Sequence, residues 1–405
     1  MPASRTLLLF LNLGHALDHL LMLIFPTVVL AMSTELGLGY AELLPLSFGG
    51  FVAFGACSLP AGWLADRWSR FGMMLVFFFG LGAASLVTAL ARTPAEIAIG
   101  LTLIGVFAAI YHPVGIAMLV ANQERLGRVL GVNGVYGNVG VAFSALIAGA
   151  LADTLGWRAA FVIPGIAAIV AGALFAAYGR GARTAVPARK TAAYRLGRAD
   201  LVRVFVILTV ATACGGVIFN ATTIAMPKVF DERLAALTHS TFGIGALVCG
   251  VYLIAAMAQL CVGWWLDRRS LKSVFVPVVA LQVPLLALAG TMQNYAMLAV
   301  AVAMMFFVFG QIPINDAMIA RYTAEEWRAR AYAVRYVVSF GGSALAVPLV
   351  AWIYRVNGDF GPLYFTLAGL SLTVFAAALF FPGERKAQGG ARIALGSAPN
   401  EKTAA

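Results

Sequence analysis

Three ionisable side chains interrupt the first apolar stretch of the chain, GHALDHLLM at residues 14 to 22: His15, Asp18 and His19. At i, i+3 and i+4 they share one face of a helix. A fourth, His112, precedes Pro113 in another apolar stretch. Imidazoles and a carboxylate at this spacing suit several kinds of chemistry. They exchange protons when burial and neighbouring charge pull against each other and bring a group to titrate near neutrality. Two histidines at i, i+4 also suit a transition metal, although the pattern is H-x-x-D-H rather than H-E-x-x-H. An acid–base pair in a membrane-embedded enzyme is a third reading, and a satisfied polar knot that only orders the helix is the fourth. The thirteen methionines are scattered, which suits flexible packing better than a copper relay.

The elements that carry these groups follow from composition. Hydrophobic residues make up 61% of 405 positions and charged residues 11%, and the mean hydropathy is +0.90. That is an integral membrane protein rather than a soluble domain. Cys57, Cys214, Cys249 and Cys261 lie in apolar runs without C-x-x-C spacing, so neither a disulfide framework nor a zinc ribbon is expected. The first apolar stretch is too long and too polar for a cleaved signal peptide and reads as a retained helix.

Windows long enough to cross a hydrocarbon core predict an all-α protein of twelve transmembrane helices. They lie at roughly 6–31, 43–65, 72–91, 95–120, 128–152, 158–178, 201–226, 241–266, 273–291, 295–320, 329–353 and 361–381, with boundaries good to about 2 to 4 residues. They are called helix 1 to helix 12 below. The expected organisation is a six-helix bundle over 1–178, a basic cytoplasmic linker over 179–200, a second bundle over 201–381 and a disordered cytoplasmic tail over 382–405. With the N-terminus inside, 22 Lys and Arg fall in cytoplasmic loops and tails, five fall outside and Arg335 falls within a span. Basic residues are retained on the cytoplasmic side during insertion. The net charge of +11 and the pI near 9.8 therefore call for no nucleic-acid partner. They add only attraction to the anionic surface of the lipid bilayer.

The two halves echo one another. GWLADRWSR at 62–70 recurs as GWWLDRRSL at 263–271, and PVGIAML at 113–119 as PINDAMI at 313–319. Parallel six-helix repeats of this kind imply a pseudo-twofold axis along the membrane normal and a cavity between the halves.

On these features the chain resembles the major facilitator superfamily (MFS). The loop after helix 2 follows the family form G-x-x-x-D-R-x-G-R through Gly62, Asp66, Arg67 and Arg70, with Ser69 in place of the last glycine, and a partial copy stands at Gly263, Asp267 and Arg268. The resemblance implies the MFS fold and a secondary transporter. It also implies that Asp66 and Arg67 help to latch the cytoplasmic gate, to which Gly62, Arg70, Asp267, Arg268 and Asp316 are added here. His15, Asp18, Pro26 and His112-Pro113 look more locally like the fosmidomycin resistance transporters, drug exporters of the bacterial inner membrane. Helix 5 is rich in glycine at 131, 134, 137 and 140 but lacks the glycine-proline step of the drug-proton antiporter signature. Close helix contact explains those glycines better than an efflux signature does.

At ~1.5 Å of rise per residue, Asp18 falls near the middle of helix 1 and His15 and His112 fall on its cytoplasmic side at similar depths. The expectation is a polar cluster of Asp18, His15, His19 and His112 that couples protons, with Asp18 as carrier, because an intramembrane ionisable group marks a pathway more often than not. The other half offers Asn220, Gln311, Asn315, Tyr332 and Arg335 as substrate contacts. Arg335 is also close enough in depth to Asp316 to form a gate or structural ion pair.

The functional expectation is a proton-coupled secondary transporter of the bacterial inner membrane, a monomer with both termini cytoplasmic, moving a small-molecule substrate by alternating access. Drug or phosphonate efflux is the form suggested by the resemblance. Transport of a transition metal or its chelate through His15, Asp18, His19 and His112 is the alternative, and a membrane enzyme or solute sensor stands behind both. Nucleotide-binding and hydrolase motifs are absent from the sequence, so no enzyme activity and no cofactor are expected. Cysteine introduced at each of positions 15, 18, 19 and 112, in a background stripped of native cysteines, is expected to react with a water-soluble thiol reagent. Absence of labelling at all four would remove the cavity assignment.

Overall fold

A computed structural model describes residues 5–120, 126–179, 197–323 and 325–383. Most of the 179–200 linker and of the tail expected beyond 382 lies outside the described residues. So do the side chains of Tyr332 and of its neighbours on either side in helix 11.

Every secondary-structure element among the described residues is helical. Lipid offers no partner to a backbone N–H or C=O, so a spanning chain must satisfy them within each helix. Among the described residues, ten helices are long and apolar enough to cross a membrane. Helix 2 comes in two pieces, Tyr40–Ala56 and Ser58–Arg67, inclined by 40°. Helix 11 runs Glu325–Asn357, with its shorter apolar part at Ala344–Asn357. Helix 1 is longer than expected: Arg5–Leu23 continues past Ile24 as Phe25–Leu36, with Pro26 in its first turn. Proline is tolerated there because that N–H has no intrahelical partner.

Within the first half, helix 1 packs on helix 5, helix 3 on helices 4 and 6, and helix 2 on helix 4. In the second, helix 7 packs on helix 11, helix 9 on helix 12, and helix 10 on helices 8 and 9. Helix 5 against helix 8 and helix 2 against helix 11 form the main seams between halves.

The seam between helices 5 and 8 closes at one end and parts at the other. Residues 131, 134, 138, 145 and 149 form one stripe of helix 5, following helical periodicity. A Cβ at Gly149 would stand 2.3 Å from the Thr241 carbonyl oxygen, and one at Gly245 would stand 2.2 Å from that of Ala145. Midway, Gln259 Nε2 donates to Asn138 Oδ1 at 3.2 Å. Beyond it, Gly131 and Gly134 on helix 5 and Gly263 on helix 8 have nothing within 4 Å of where a Cβ would be.

The closed end is the one away from residues 5, 179 and 383, and other bonds tie the halves there. The Phe242 amide donates to Asp153 Oδ2 at 2.7 Å, Arg355 donates to the Ala41 carbonyl at 2.9 Å, and the rings of Tyr40 and Tyr354 meet at 5.2 Å. Among the described residues the end that carries the termini is open, with Trp63 and Trp264 each more than half exposed.

Gly245→Val is therefore expected to lower stability by about 1–3 kcal/mol through overpacking of the seam, whereas Gly131→Ala should stay within about 0.5 kcal/mol of the parent. Thermal unfolding of the purified proteins in detergent measures both.

Candidate functional site

Helix 1 turns its polar groups inward because its apolar stripe does the same. Leu7, Leu11, Asp18 and Phe25 lie on one face and have at most 1% exposure. Gly137 of helix 5 leaves the space for His15, since a Cβ there would come within 2.6 Å of the His15 ring. At Gly140 the backbones themselves meet, a Cβ falling 2.2 Å from the Ala16 carbonyl oxygen. Close helix contact thus accounts for Gly137 and Gly140; at Gly131 and Gly134, where it was also expected, no neighbour is close enough to require glycine.

His112 reaches the same place from helix 4, where Tyr111–Gly115 forms a turn of π-helix. Pro113 has no N–H to give to the regular ladder, and wide turns of this sort occur often at functional positions. Gly62 of the loop signature packs beneath this turn, a Cβ there lying 3.2 Å from the Pro113 side chain.

The three imidazoles stand together. His15 and His19 approach through their Nε2 atoms at 3.1 Å. Their rings lie 5.3 and 5.5 Å from that of His112, and one ring nitrogen of each residue lies within 4.8 Å of the other two. Asp18 is fully buried; its Oδ2 is 3.5 Å from His112 Nε2, and neither of its carboxylate oxygens accepts a hydrogen bond among the described residues. Such a group in a low-dielectric interior requires a positive partner or a proton.

A scaffold that sequence reading missed holds the cluster. His15 Nδ1 donates to the Asn133 carbonyl at 2.8 Å, which leaves Nε2 with the lone pair in the neutral ring. Asn133 Nδ2 donates to Asn12 Oδ1 at 2.9 Å and to the Tyr111 hydroxyl at 2.8 Å, and that hydroxyl donates to the Leu11 carbonyl at 2.7 Å. The Tyr111 ring stacks on His15 at 4.8 Å. Asn12 alone carried a sequence signal, one helical step before His15. Asn133 and Tyr111 come from other helices, and no spacing rule joins them to helix 1.

The second half arranges its expected contacts differently. Gln311 is 4% exposed and bonded within its half, donating to the Ala211 carbonyl at 3.1 Å and accepting from Gln282 at 3.1 Å. It braces helices 7, 9 and 10 rather than standing free for a substrate. Asn220 donates to the Gly216 carbonyl of its own helix at 2.9 Å. Asn315 is buried with its Oδ1 unbonded among the described residues. Arg335 donates to Asp316 in a contact that joins helices 10 and 11.

Around the signature loop the bonds run within each half. Asp66 accepts from Arg70 at 2.7 Å, Arg67 lies over the Trp63 ring at 4.2 Å, and Arg268 lies over Trp264 at 4.1 Å. Asp267 ends helix 8 at the exposed surface.

Tyr111→Phe removes a hydroxyl that bonds in two directions inside the bundle and should cost about 1–3 kcal/mol. A fall in unfolding temperature of the purified protein would report it, and an unchanged temperature would show that the hydroxyl braces nothing.

This helical plan has counterparts among solved structures. A bacterial homologue of the human lysosomal transporter Spinster, in an inward-facing and unoccupied conformation, superposes with a TM-score of 0.72 at 16% identity, over 94% of this chain and 95% of that one. A POT family transporter in complex with 5-aminolevulinic acid gives 0.75 at 14% identity, over 93% and 95%. At such identities the likeness is one of fold.

Among characterised sequences, the puromycin resistance protein pur8 of Streptomyces alboniger is 34% identical over 110 residues, 26% of this chain and 22% of that protein. The tetracenomycin C resistance and export protein of Streptomyces glaucescens is 29% identical over 148 residues, 35% and 27% respectively. The chain thus matches about a quarter of the length of these relatives. The sequence model of the Major Facilitator Superfamily matches residues 11–251 and 211–399. With nearly the whole helical region covered, the chain belongs to the Major Facilitator Superfamily.

Proposed function

We propose that this protein is a proton-coupled secondary transporter of the bacterial inner membrane that exports a small solute by alternating access, as a monomer with both termini in the cytoplasm. The observation that carries the reading is Asp18: a fully buried carboxylate with no hydrogen bond among the described residues, 3.5 Å from an imidazole, in a bundle whose described residues leave it open at one end only. Changing its charge changes the free energy of burying it, so the protonated and ionised forms favour different conformations. His19 and His112, each only partly buried, are the relay between Asp18 and the cavity, and His15 fixes the relay from behind.

The direction of transport follows the resistance and export named in the two Streptomyces relatives. In the opposite conformation, Asp66, Arg67 and Arg70 of one loop and Asp267 and Arg268 of its counterpart close the cytoplasmic end, with Gly62 allowing the approach of helix 4. The pair Arg335–Asp316 belongs to that gate. Asn220 and Asn315, with groups not held by another helix, are the substrate contacts from the second half, alongside Tyr332.

The test uses proteoliposomes with a trapped pH dye. Puromycin, phosphonates and organic anions are supplied in turn to find a solute that moves protons. For that solute, Asp18→Asn should reduce coupled proton movement at least tenfold, while solute exchange without a proton gradient continues. Proton movement that survives Asp18→Asn would overturn the assignment.

A further inference from the structure

We propose that His15, His19, His112 and Asp18 form a binding site for a first-row divalent transition-metal ion, which occupies the cluster in exchange for protons. The inference rests on the reading of this cluster as the coupling site and adds a second class of cation to it.

Geometry comes first. Nitrogen ligands of a tetrahedral zinc ion, each at ~2.0–2.1 Å, stand ~3.4 Å apart. His15 and His19 already present Nε2 atoms at 3.1 Å, and a nitrogen of His112 lies within 4.8 Å of both. Closing the third side takes up to ~1.4 Å of ring movement, available to His112 within the wide turn at Tyr111–Gly115.

The supporting contacts are those of a metal-ligating histidine, whose outer ring nitrogen is fixed by a carbonyl or carboxylate. His15 Nδ1 donates to the Asn133 carbonyl, so its lone pair is on Nε2 and points at His19. His112 Nε2 stands beside Asp18, the second such partner or a fourth ligand.

Charge and access agree with this. Asp18 is the one acidic residue among the four, is fully buried and carries two oxygens with no hydrogen bond among the described residues. A divalent ion neutralises it and leaves a net charge of one to be shared by three imidazoles. His19 and His112 are only partly buried, whereas His15 is buried, so the cluster is accessible on the side of those two rings, which gives the ion a route in and an open coordination position. Imidazole with one carboxylate selects zinc, cobalt, nickel or copper over magnesium and calcium, which prefer oxygen cages. Ligation needs neutral imidazoles and an ionised carboxylate, so the ion and the protons exclude one another.

The experiment titrates Co2+ into the purified full-length protein, carried on a tag without histidine, and follows visible ligand-field bands. Zn2+ serves as competitor and Mg2+ as control. One equivalent of Co2+ should bind with bands of a four- or five-coordinate nitrogen-ligated ion, should be displaced by Zn2+ and not by Mg2+, and should release at least one proton per ion in weakly buffered solution. His19→Gln and His112→Gln should each weaken binding at least tenfold, and His239→Gln, at an exposed position, should leave it unchanged. Asp18→Asn, close to isosteric, should weaken it similarly and guards against a histidine variant that fails to fold.

Absence of the bands, or unchanged binding in His19→Gln and His112→Gln, would overturn the metal site. Proton-coupled solute movement measured in chelator-treated liposomes is a separate readout. If it persists while no metal binds, the coupling reading stands and this inference falls.

Discussion

A carboxylate buried in the middle of an apolar bundle, with no hydrogen bond among the described residues, is the feature on which this structure turns. Asp18 has no exposed surface, and its nearest basic neighbour is an imidazole on another helix. Burial of such a group costs several kcal/mol unless a positive charge or a proton accompanies it. The other groups near it make sense as responses to that cost. His112 stands beside it and is grouped with His15 and His19, Tyr111 stacks on His15, and Asn133 joins helices 1, 4 and 5 through bonds that fix the tautomer of His15. On the proposed reading, a rigid frame around one loosely partnered charge lets a small cation decide which conformation is lower in free energy.

The frame depends on close backbone approach. In lipid no hydrophobic gain separates helix–helix from helix–lipid contact, so packing of small residues carries association. Helix 5 does this twice. One face meets helix 1 at Gly140, with Gly137 making room for His15, and the other meets helix 8 at Gly149, opposite Gly245. The same helix therefore joins the cluster to the seam. On the proposed reading, a cation that moves helix 1 relative to helix 5 acts on the element whose far end holds the two halves together.

The seam also explains why loops of conspicuous sequence look unremarkable in this conformation. The signature residues Asp66, Arg67 and Arg70 and their counterpart Arg268 bond or stack within their own halves, because the halves part at that end. Their charges are solvated, where an ion pair is worth little. Cross-half bonds instead gather at the opposite end, through Asp153, Arg355 and the ring pair of Tyr40 and Tyr354.

Composition and periodicity alone determined the membrane class, the helical content, the repeat and the inward placement of Asp18. Apolar length and the cost of an unpaired charge in lipid are local properties that a sequence displays directly. The grouping of His112 with helix 1 was legible too, since depth follows from rise per residue. The partners Tyr111 and Asn133, the bracing role of Gln311 and the division of helix 5 glycines into two that pack and two that do not were decided by tertiary structure. Each depends on which face of one helix meets another and at what distance, and the choice among facing helices is set by the packing of the whole bundle rather than by any spacing along one segment.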